Sequence, residues 1–507
     1  MKTSKKMLSL LLIAAMLVSV LCMGVSASDT TFEPVSISEG EPVKIVWSGT
    51  TGTVVNVDGG TYIPASFLLW VEGTSTVTVG TTPVSFSMTN EGNNGYVITT
   101  GSTEQTITVN ITESSMSAVG TYTITCPAQN GTVPTSIVKT VEGYLPVGQF
   151  ARGTGWGTAD GKFTTDAYAS TGVSLGAAGG YIQMDLTSPI YNLATNPYGV
   201  DFIVYGNAFS GNPEAGAVKV YGYESGSTTP AWYDLAGSLY YDSISKNNAT
   251  VSYKRIASGT DAGIWYQING GTWTKFTTNT GWWPDTTKGY GDTWGSVDGV
   301  TWDQTNDIIT YTGVSLVKDT DTTNDYQFGY FDVHVNGSNY GAALNPYTVT
   351  NADKCGDGFD LSWAVDSNGT PVNLTHITKV RVYTAAALTS DGTKFTTPSI
   401  FGETSAEFCG IFASTSASSS VGVTSAPTSI SVGGTTLGTP TEVIGNVAVY
   451  DLGGLMEDDE VNVTVGSNCN LLINSSNSST YTVQEDDQVI RILVQSGEKE
   501  PYIVIIK

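Results

Sequence analysis

Tryptophan is concentrated in one stretch of the chain, between residues 265 and 302, where the other residues are largely Gly, Thr and Asp. Aromatic rings interleaved with carboxylates suit a sugar, because a sugar ring stacks on an aromatic face while its hydroxyls bond to acids and amides. The pattern predicts a glycan-binding surface on loops. Its candidate residues are Trp265, Trp273, Trp282, Trp283, Trp294 and Trp302.

The alternative for each of these rings is a structural role, since tryptophan is often largely buried. Trp282 and Trp283 precede Pro284 and are the best candidates for exposure, because adjacent residues in an extended segment cannot both point inward.

Acidic residues form two groups that could bind calcium as a structural cofactor. Asp319, Asp321 and Asp325 place oxygen ligands at alternating positions, as a hard cation requires, but the segment lacks the Gly and the distal Glu of an EF-hand loop. Asp360 and Asp366 form the second group. Solvated turns are the alternative explanation, because Asp is a favoured turn residue.

Catalytic chemistry has few candidate residues. His334 and His376 are the only histidines, which excludes a three-histidine zinc site, and no GxSxG motif accompanies them. Alternation over residues 331–335 predicts a strand with Asp332 and His334 on its solvated face. We therefore expect a binding protein rather than an enzyme.

A glycoside hydrolase is the enzymatic alternative, and it would need a pair of carboxylates about 5 to 10 Å apart. The sequence marks no such pair among its many acids. The first candidates to test are Asp360, Asp366, Glu403 and Glu407.

Composition predicts the fold class. Charged residues are 13% of the 507, and the chain has 58 Gly with many Thr, Ser, Val and Tyr, a mixture that disfavours long helices and favours strands. The net charge is −25. Nucleic acid is therefore an unsuitable partner, because affinity for phosphates depends on clustered Lys and Arg.

The first 27 residues have the pattern of a secretory signal peptide. Lys2, Lys5 and Lys6 precede an apolar run over residues 7–20, and Val25-Ser26-Ala27 matches a cleavage site. No second apolar stretch is long enough to form a transmembrane segment. The sequence thus predicts a secreted or cell-surface protein.

Strand and turn signals predict an all-β chain of several β-sandwiches. The central domain shows the clearest alternation, with Ile182, Met184 and Leu186 on one side of a strand. Cys355 and Cys409 fall in that domain and form either a disulfide or two buried thiols. The predicted segments are a signal peptide (1–27), an Ig-like sandwich (28–143), a central ligand-binding sandwich (144–413), a Ser-rich linker (414–426) and a cadherin-like sandwich (427–507).

Several central motifs resemble those of poorly characterised bacterial secreted and cell-surface proteins. They are GVDFIVYGNAF at 199–209, WYDLAGS at 232–238, WAVD at 363–366 and GETS at 402–405. The resemblance implies surface display and a mostly β fold. Some similar proteins of gut bacteria are associated with corrinoid uptake, which makes capture of a cobalamin-like ligand a second alternative to glycan binding.

Overall fold

A computed structural model describes most of the chain. The described residues are 43–45, 54–56, 66–85, 88–90, 93–101, 103–114, 119–126, 128, 137–148, 163, 168–206, 208, 213–284, 297–320, 326–334, 343–348, 356–396, 405–414, 422–474 and 476–507. Several features predicted from the sequence lie outside the described residues: the signal peptide, Trp294, Asp321, Asp325, Cys355 and Glu403. The chain forms two compact units, Met1–Pro134 and Thr135–Lys507.

The fold is all-β, as the composition predicts, and in the described part of the chain the strands are joined by turns and by short 3-10 helices such as Pro197–Gly199 and Leu361–Trp363. No helix among the described residues is long and apolar enough to cross a membrane.

The first unit is a sandwich of two sheets, ordered β1-β3-β7-β6 and β2-β9-β8-β4-β5. Its core takes Leu69 and Tyr96 from the first sheet and Ile107 and Tyr122 from the second. Alternate residues of β8 and β9 are buried, which is the expected period for strands with one solvated face. The strands are β1 (Val43–Ile45), β2 (Val54–Asn56), β3 (Ser66–Glu72), β4 (Thr74–Val79), β5 (Thr82–Val84), β6 (Met88–Asn90), β7 (Asn93–Thr99), β8 (Gln105–Glu113) and β9 (Gly120–Cys126).

The second unit contains the central domain, which has three sheets. They are ordered β10-β12-β23-β14-β15-β22, β11-β25-β13-β21 and β18-β17-β16-β20-β19 with β24 paired to β20, and all three contribute to one core. The strands are β10 (Val138–Leu145), β11 (Tyr168–Ser174), β12 (Tyr181–Tyr191), β13 (Phe202–Tyr205), β14 (Gly216–Glu224), β15 (Ala231–Leu235), β16 (Lys246–Ile256), β17 (Gly263–Ile268), β18 (Thr274–Thr277), β19 (Val300–Asp303), β20 (Ile308–Lys318), β21 (Asp357–Phe359), β22 (Ala364–Val365), β23 (Leu374–Thr384), β24 (Ala386–Leu388) and β25 (Glu407–Ala413).

The domain boundary after the first unit falls at Pro134, earlier than residue 143. The reason is β10, which spans residue 143 and pairs along its length with β12. It therefore belongs to the central sheet.

The C-terminal sandwich has sheets ordered β27-β26-β30-β32 and β28-β29-β34-β33-β31. Val504 and Ile506 of β34 face its own core, while Ile503 and Ile505 join the core of the central domain. A strand buried on both faces explains the unbroken apolar run at the chain end. The strands are β26 (Ser429–Val432), β27 (Thr435–Thr436), β28 (Glu442–Ile444), β29 (Val447–Tyr450), β30 (Glu460–Thr464), β31 (Cys469–Ile473), β32 (Thr480–Thr482), β33 (Ile490–Ser496) and β34 (Tyr502–Ile506).

Candidate functional site

The six-stranded sheet of the central domain has an apolar face and a polar, aromatic face. Ile182 and Met184 of β12 are buried in the core, so the residues between them point to the other side. Backbone pairing brings Gln183 opposite Arg381 of β23, and Tyr221 of β14 opposite Trp232 of β15. The register thus places these side chains together on one face.

A groove of about 510 Å³ lies on this face. Its volume is in the range of sites that hold small molecules or short oligomers, roughly 300 to 1,000 Å³. Aromatic rings, both signs of charge and an amide border it, so it offers stacking surfaces together with hydrogen-bond donors and acceptors. The lining residues include Glu142, Gln183, Tyr221, Trp232, Asp298 and Lys379.

Trp232 and Tyr221 form the aromatic part of the groove. Their ring centroids are 5.3 Å apart at an interplanar angle of 49°. Both side chains are only partly buried, so part of each ring faces solvent. The arrangement leaves an apolar surface beside polar groups, which a sugar requires.

Arg381 contacts two residues that line the groove, Gln183 and Trp232. Its Nε and Nη2 donate to Gln183 Oε1 at 2.8 and 2.6 Å, and Nη2 also donates to the Asp298 carbonyl at 2.7 Å. The guanidinium lies over Trp232, with its Cζ 4.7 Å from the ring centroid, and over Tyr181 at 5.2 Å. Burial lowers the pKa of Arg381 and raises the pKa of Tyr181 to about 12.

A second polar chain extends from the same glutamine. Gln183 Nε2 donates to Glu142 Oε2 at 2.6 Å, and Lys379 Nζ pairs with Glu142 Oε1. Lys379 Nζ also lies 5.9 Å from the Tyr221 ring centroid. Because Glu142 and Lys379 are each about a quarter exposed, they can exchange these contacts for bonds to a ligand.

The tryptophans predicted to form a platform lie elsewhere, in and around the third sheet. Trp265 is in β17 and Trp302 is in β19, so the expectation that these rings sit on loops is wrong for both. Trp265 Nε1 donates to the Asp261 carbonyl, and Lys275 lies over its ring. Trp273 is partly buried just before β18.

The expected exposure of the Trp282-Trp283 pair is also not observed. Trp283 is 1% exposed and belongs to the core, while Trp282 is partly buried against it. Trp283 points inward while Trp282 keeps part of its surface exposed, as alternation requires. These residues anchor a turn to the core.

The described acids expected to bind calcium are dispersed. Asp319 Oδ2 accepts a hydrogen bond from Thr396 Oγ1, and Asp366 Oδ1 accepts from Asn368 N and Thr370 N in a turn. Asp360 caps the 3-10 helix Leu361–Trp363 by accepting from Ser362 N. Asp360 is fully buried, which places it beyond reach of a polysaccharide.

A different set of carboxylates meets inside the sandwich. Glu214, Asp332 and Glu407 have oxygens within 4.8 Å of one another, the only such group of acids, His and Cys among the described residues. Asp332 and Glu407 are fully buried, and Asp332 Oδ2 accepts from Glu407 N. Residues so far apart in sequence give no local pattern, so sequence reasoning could not find this group.

Each histidine contacts a neighbouring side chain of the central domain. His334 is buried, with Nδ1 2.6 Å from Asp357 Oδ1, so the prediction of a solvated strand there is wrong. The backbone bends at this point, where Asp332 has a φ of 62°. His376 stacks on Tyr223 with centroids 4.6 Å apart, and burial lowers its pKa to about 4.

Comparison with known proteins gives no assignment for this site. No protein-family model matches the chain, and no curated protein matches it.

Proposed function

We propose that this chain is a secreted bacterial surface protein that binds an extracellular glycan in the groove on its central sheet. The observation that carries the proposal is the position of Trp232 and Tyr221 beside Gln183, Glu142 and Lys379. The rings offer stacking surface to the C–H face of a sugar, and the polar groups offer bonds to its hydroxyls.

The signal-like N-terminus and the resemblance of the central motifs to bacterial surface proteins support the extracellular setting. Arg381 supports the site because its planar group is held by Gln183 and by two rings. Gln183 and Trp232, which line the groove, are thus held in place before binding and lose little conformational entropy when a ligand enters. The site is therefore suited to recognition without rearrangement.

Glycan-array binding by residues 28–507 tests the proposal. A fragment that began at residue 144 would cut through β10, which begins at Val138. A fragment without the C-terminal sandwich would lose the residues that this sandwich contributes to the central core. We expect specific signal that is lost in Trp232→Ala and kept in Trp265→Ala. A blank array, or equal signal from both variants, would refute the groove. A spectral shift of cobalamin on mixing would then favour corrinoid capture, and release of reducing sugar would favour a hydrolase.

Calcium remains part of the proposal as a structural ion. The sequence assigns it to Asp319, Asp321, Asp325, Asp360 and Asp366, whereas the structure offers the buried carboxylates of Glu214, Asp332 and Glu407. Three mutually close carboxylates repel one another unless they are protonated or share a cation.

A further inference from the structure

Three acidic side chains are buried where the central domain meets the C-terminal sandwich. Asp201 and Asp360 belong to the central domain and are 2% and 0% exposed, while Glu500 lies just before β34 and is 4% exposed. Two of them pack against the backbone of Gly199, since a side chain at that position would clash with Asp360 Oδ2 and with Glu500 Cγ. The carboxyl groups of the two domains therefore meet at this glycine.

The hydrogen bonds of the two central acids are unequal. Asp201 accepts from two backbone N–H groups and from Asn196 Nδ2 at 2.8 to 3.1 Å, which suits an ionised carboxylate. Asp360 Oδ1 accepts from Ser362 N at 2.8 Å and from Ser362 Oγ at 2.6 Å, but its Oδ2 has no hydrogen-bond partner within the described part of the chain. Because a buried charged oxygen without a donor is costly, a proton on Asp360 stabilises this arrangement.

No basic side chain compensates the three acids. Within the described residues, none of them forms an ion pair with a lysine or an arginine. Burial and mutual repulsion raise the pKa of Asp201 and Glu500 well above their ordinary values, and burial raises the pKa of Asp360 to about 7 against smaller opposing effects of Ser362 and Tyr347. The other titratable or charged groups on the elements packed around the acids are Tyr198, Tyr347, Arg491, Glu498 and Lys499.

The three acids are distinct from the buried carboxylates considered above for calcium. Among the described residues, only the group of Glu214, Asp332 and Glu407 brings three such ligand atoms within 4.8 Å of one another. The oxygens of the acids at Gly199 are more widely spaced, so one ion does not bridge all three. Protons are therefore the species that can neutralise them.

Backbone hydrogen bonds join the same elements across the domain contact. Tyr198 N donates to the Glu498 carbonyl at 2.7 Å, and Gly422 N donates to the Ala194 carbonyl at 3.1 Å. These bonds can break only if the two sides separate. We call this contact the junction, and it comprises residues 194–201, 360–362, 422–424 and 498–500.

We infer that the junction is a pH-sensitive contact, which is held closed by protons retained on Asp201, Asp360 and Glu500 and opens locally when they are lost. In the open state the acids are hydrated and return to ordinary pKa values, so the closed state binds protons more tightly. Closure is therefore favoured below about pH 4 and weakens as the pH rises through about 7, the pKa of Asp360.

The size and the extent of the opening follow from the same contacts. Between the open and the closed pKa, each proton released raises the opening equilibrium constant by up to about tenfold per pH unit. Ile503 and Ile505 remain in the core of the central domain. The C-terminal sandwich thus stays attached while the junction opens.

Hydrogen–deuterium exchange of residues 28–507 from pH 5 to pH 8, at fixed ionic strength and corrected for intrinsic exchange, tests the inference. We expect exchange of the Tyr198 and Gly422 amides to accelerate at least about tenfold over this range. Amides of β16 should exchange more slowly at every pH, because they require global unfolding. In Glu500→Gln both junction amides should stay protected at pH 8, whereas Glu498→Gln, which changes an exposed acid of the same turn, should behave like the wild type.

Equal protection of Tyr198 at pH 5 and pH 8, exchange of its amide at the rate of β16, or an unchanged pH dependence in Glu500→Gln would overturn the inference. Asp360→Asn gives the same test where Glu500→Gln does not fold, because the amide keeps an acceptor for Ser362 and adds a donor at the other position. The result does not depend on glycan binding, since none of these residues lines the groove.

Discussion

The guanidinium of Arg381 lies over the indole of Trp232, with Cζ 4.7 Å from the ring centroid. The same guanidinium is bound by Gln183 and covers Tyr181 on the neighbouring strand. A buried cation over a ring contributes about 2 kcal/mol when it is desolvated. This contact therefore fixes the orientation of Trp232 at the edge of the groove.

Replacing Trp232 by alanine should weaken glycan binding about tenfold or more, because the variant loses the largest stacking surface of the groove. Isothermal titration with the best ligand from the array measures the effect. Trp265→Ala is the matched control, since it removes an equal ring from β17, away from the groove. A smaller loss in the Trp232 variant than in the control would contradict the assignment.

Gln183→Leu should lower the free energy of unfolding by about 2 kcal/mol, because Arg381 loses its side-chain acceptor while it remains buried. Urea denaturation measures the change. Gln267→Leu is the control, since the Gln267 side chain on β17 donates to the carbonyl of Gly271 in an exposed turn, and we expect a change within about 0.5 kcal/mol. Equal effects would show that Gln183 does not support the arginine.

Stability should fall as the pH rises from about 4 to about 8, because buried Asp201 and Asp360 of the central domain interact with buried Glu500 of the C-terminal sandwich. Burial and the neighbouring carboxylates raise the pKa of Asp201 and Glu500 well above their ordinary values, and burial raises the pKa of Asp360 to about 7. A raised folded pKa stabilises the fold below the unfolded pKa and loses that contribution as the pH passes the folded value.

Thermal unfolding across this pH range measures the effect. Glu500→Gln should reduce the pH dependence and raise the melting temperature at pH 8, because it removes one of the repelling charges. Glu485→Gln changes an exposed acid of the same sandwich and should leave the profile unaltered. A profile that is identical in wild type and in Glu500→Gln would refute the coupling.

Calcium should raise the melting temperature relative to a chelator. At 100 times its Kd, a ligand that binds only the folded state stabilises it by about 2.7 kcal/mol. Loss of the effect in Glu407→Gln would assign the ion to the buried carboxylates, whereas loss in Asp319→Asn would assign it to the segment named by the sequence. Identical melting of the wild type in calcium and in chelator would exclude a structural calcium ion.

Local patterns in the sequence determined the fold class and many strands. The alternation of Ile182, Met184 and Leu186 predicts the face of β12 that the core contains. These predictions were correct because the period of a strand is a property of neighbouring residues. The bend at Asp332 was missed because its left-handed backbone departs from the apolar alternation around it.

The positions of the candidate sites depend on tertiary structure. Clustering in sequence predicts a platform over Trp265–Trp302, but Trp265 and Trp302 lie in strands of the third sheet and Trp283 fills the core. Trp232 stands alone in the sequence and gains its neighbours only from the register of β14, β15 and β23. Strand pairing between distant segments is what brings Gln183, Arg381 and Trp232 together, and no local spacing encodes it.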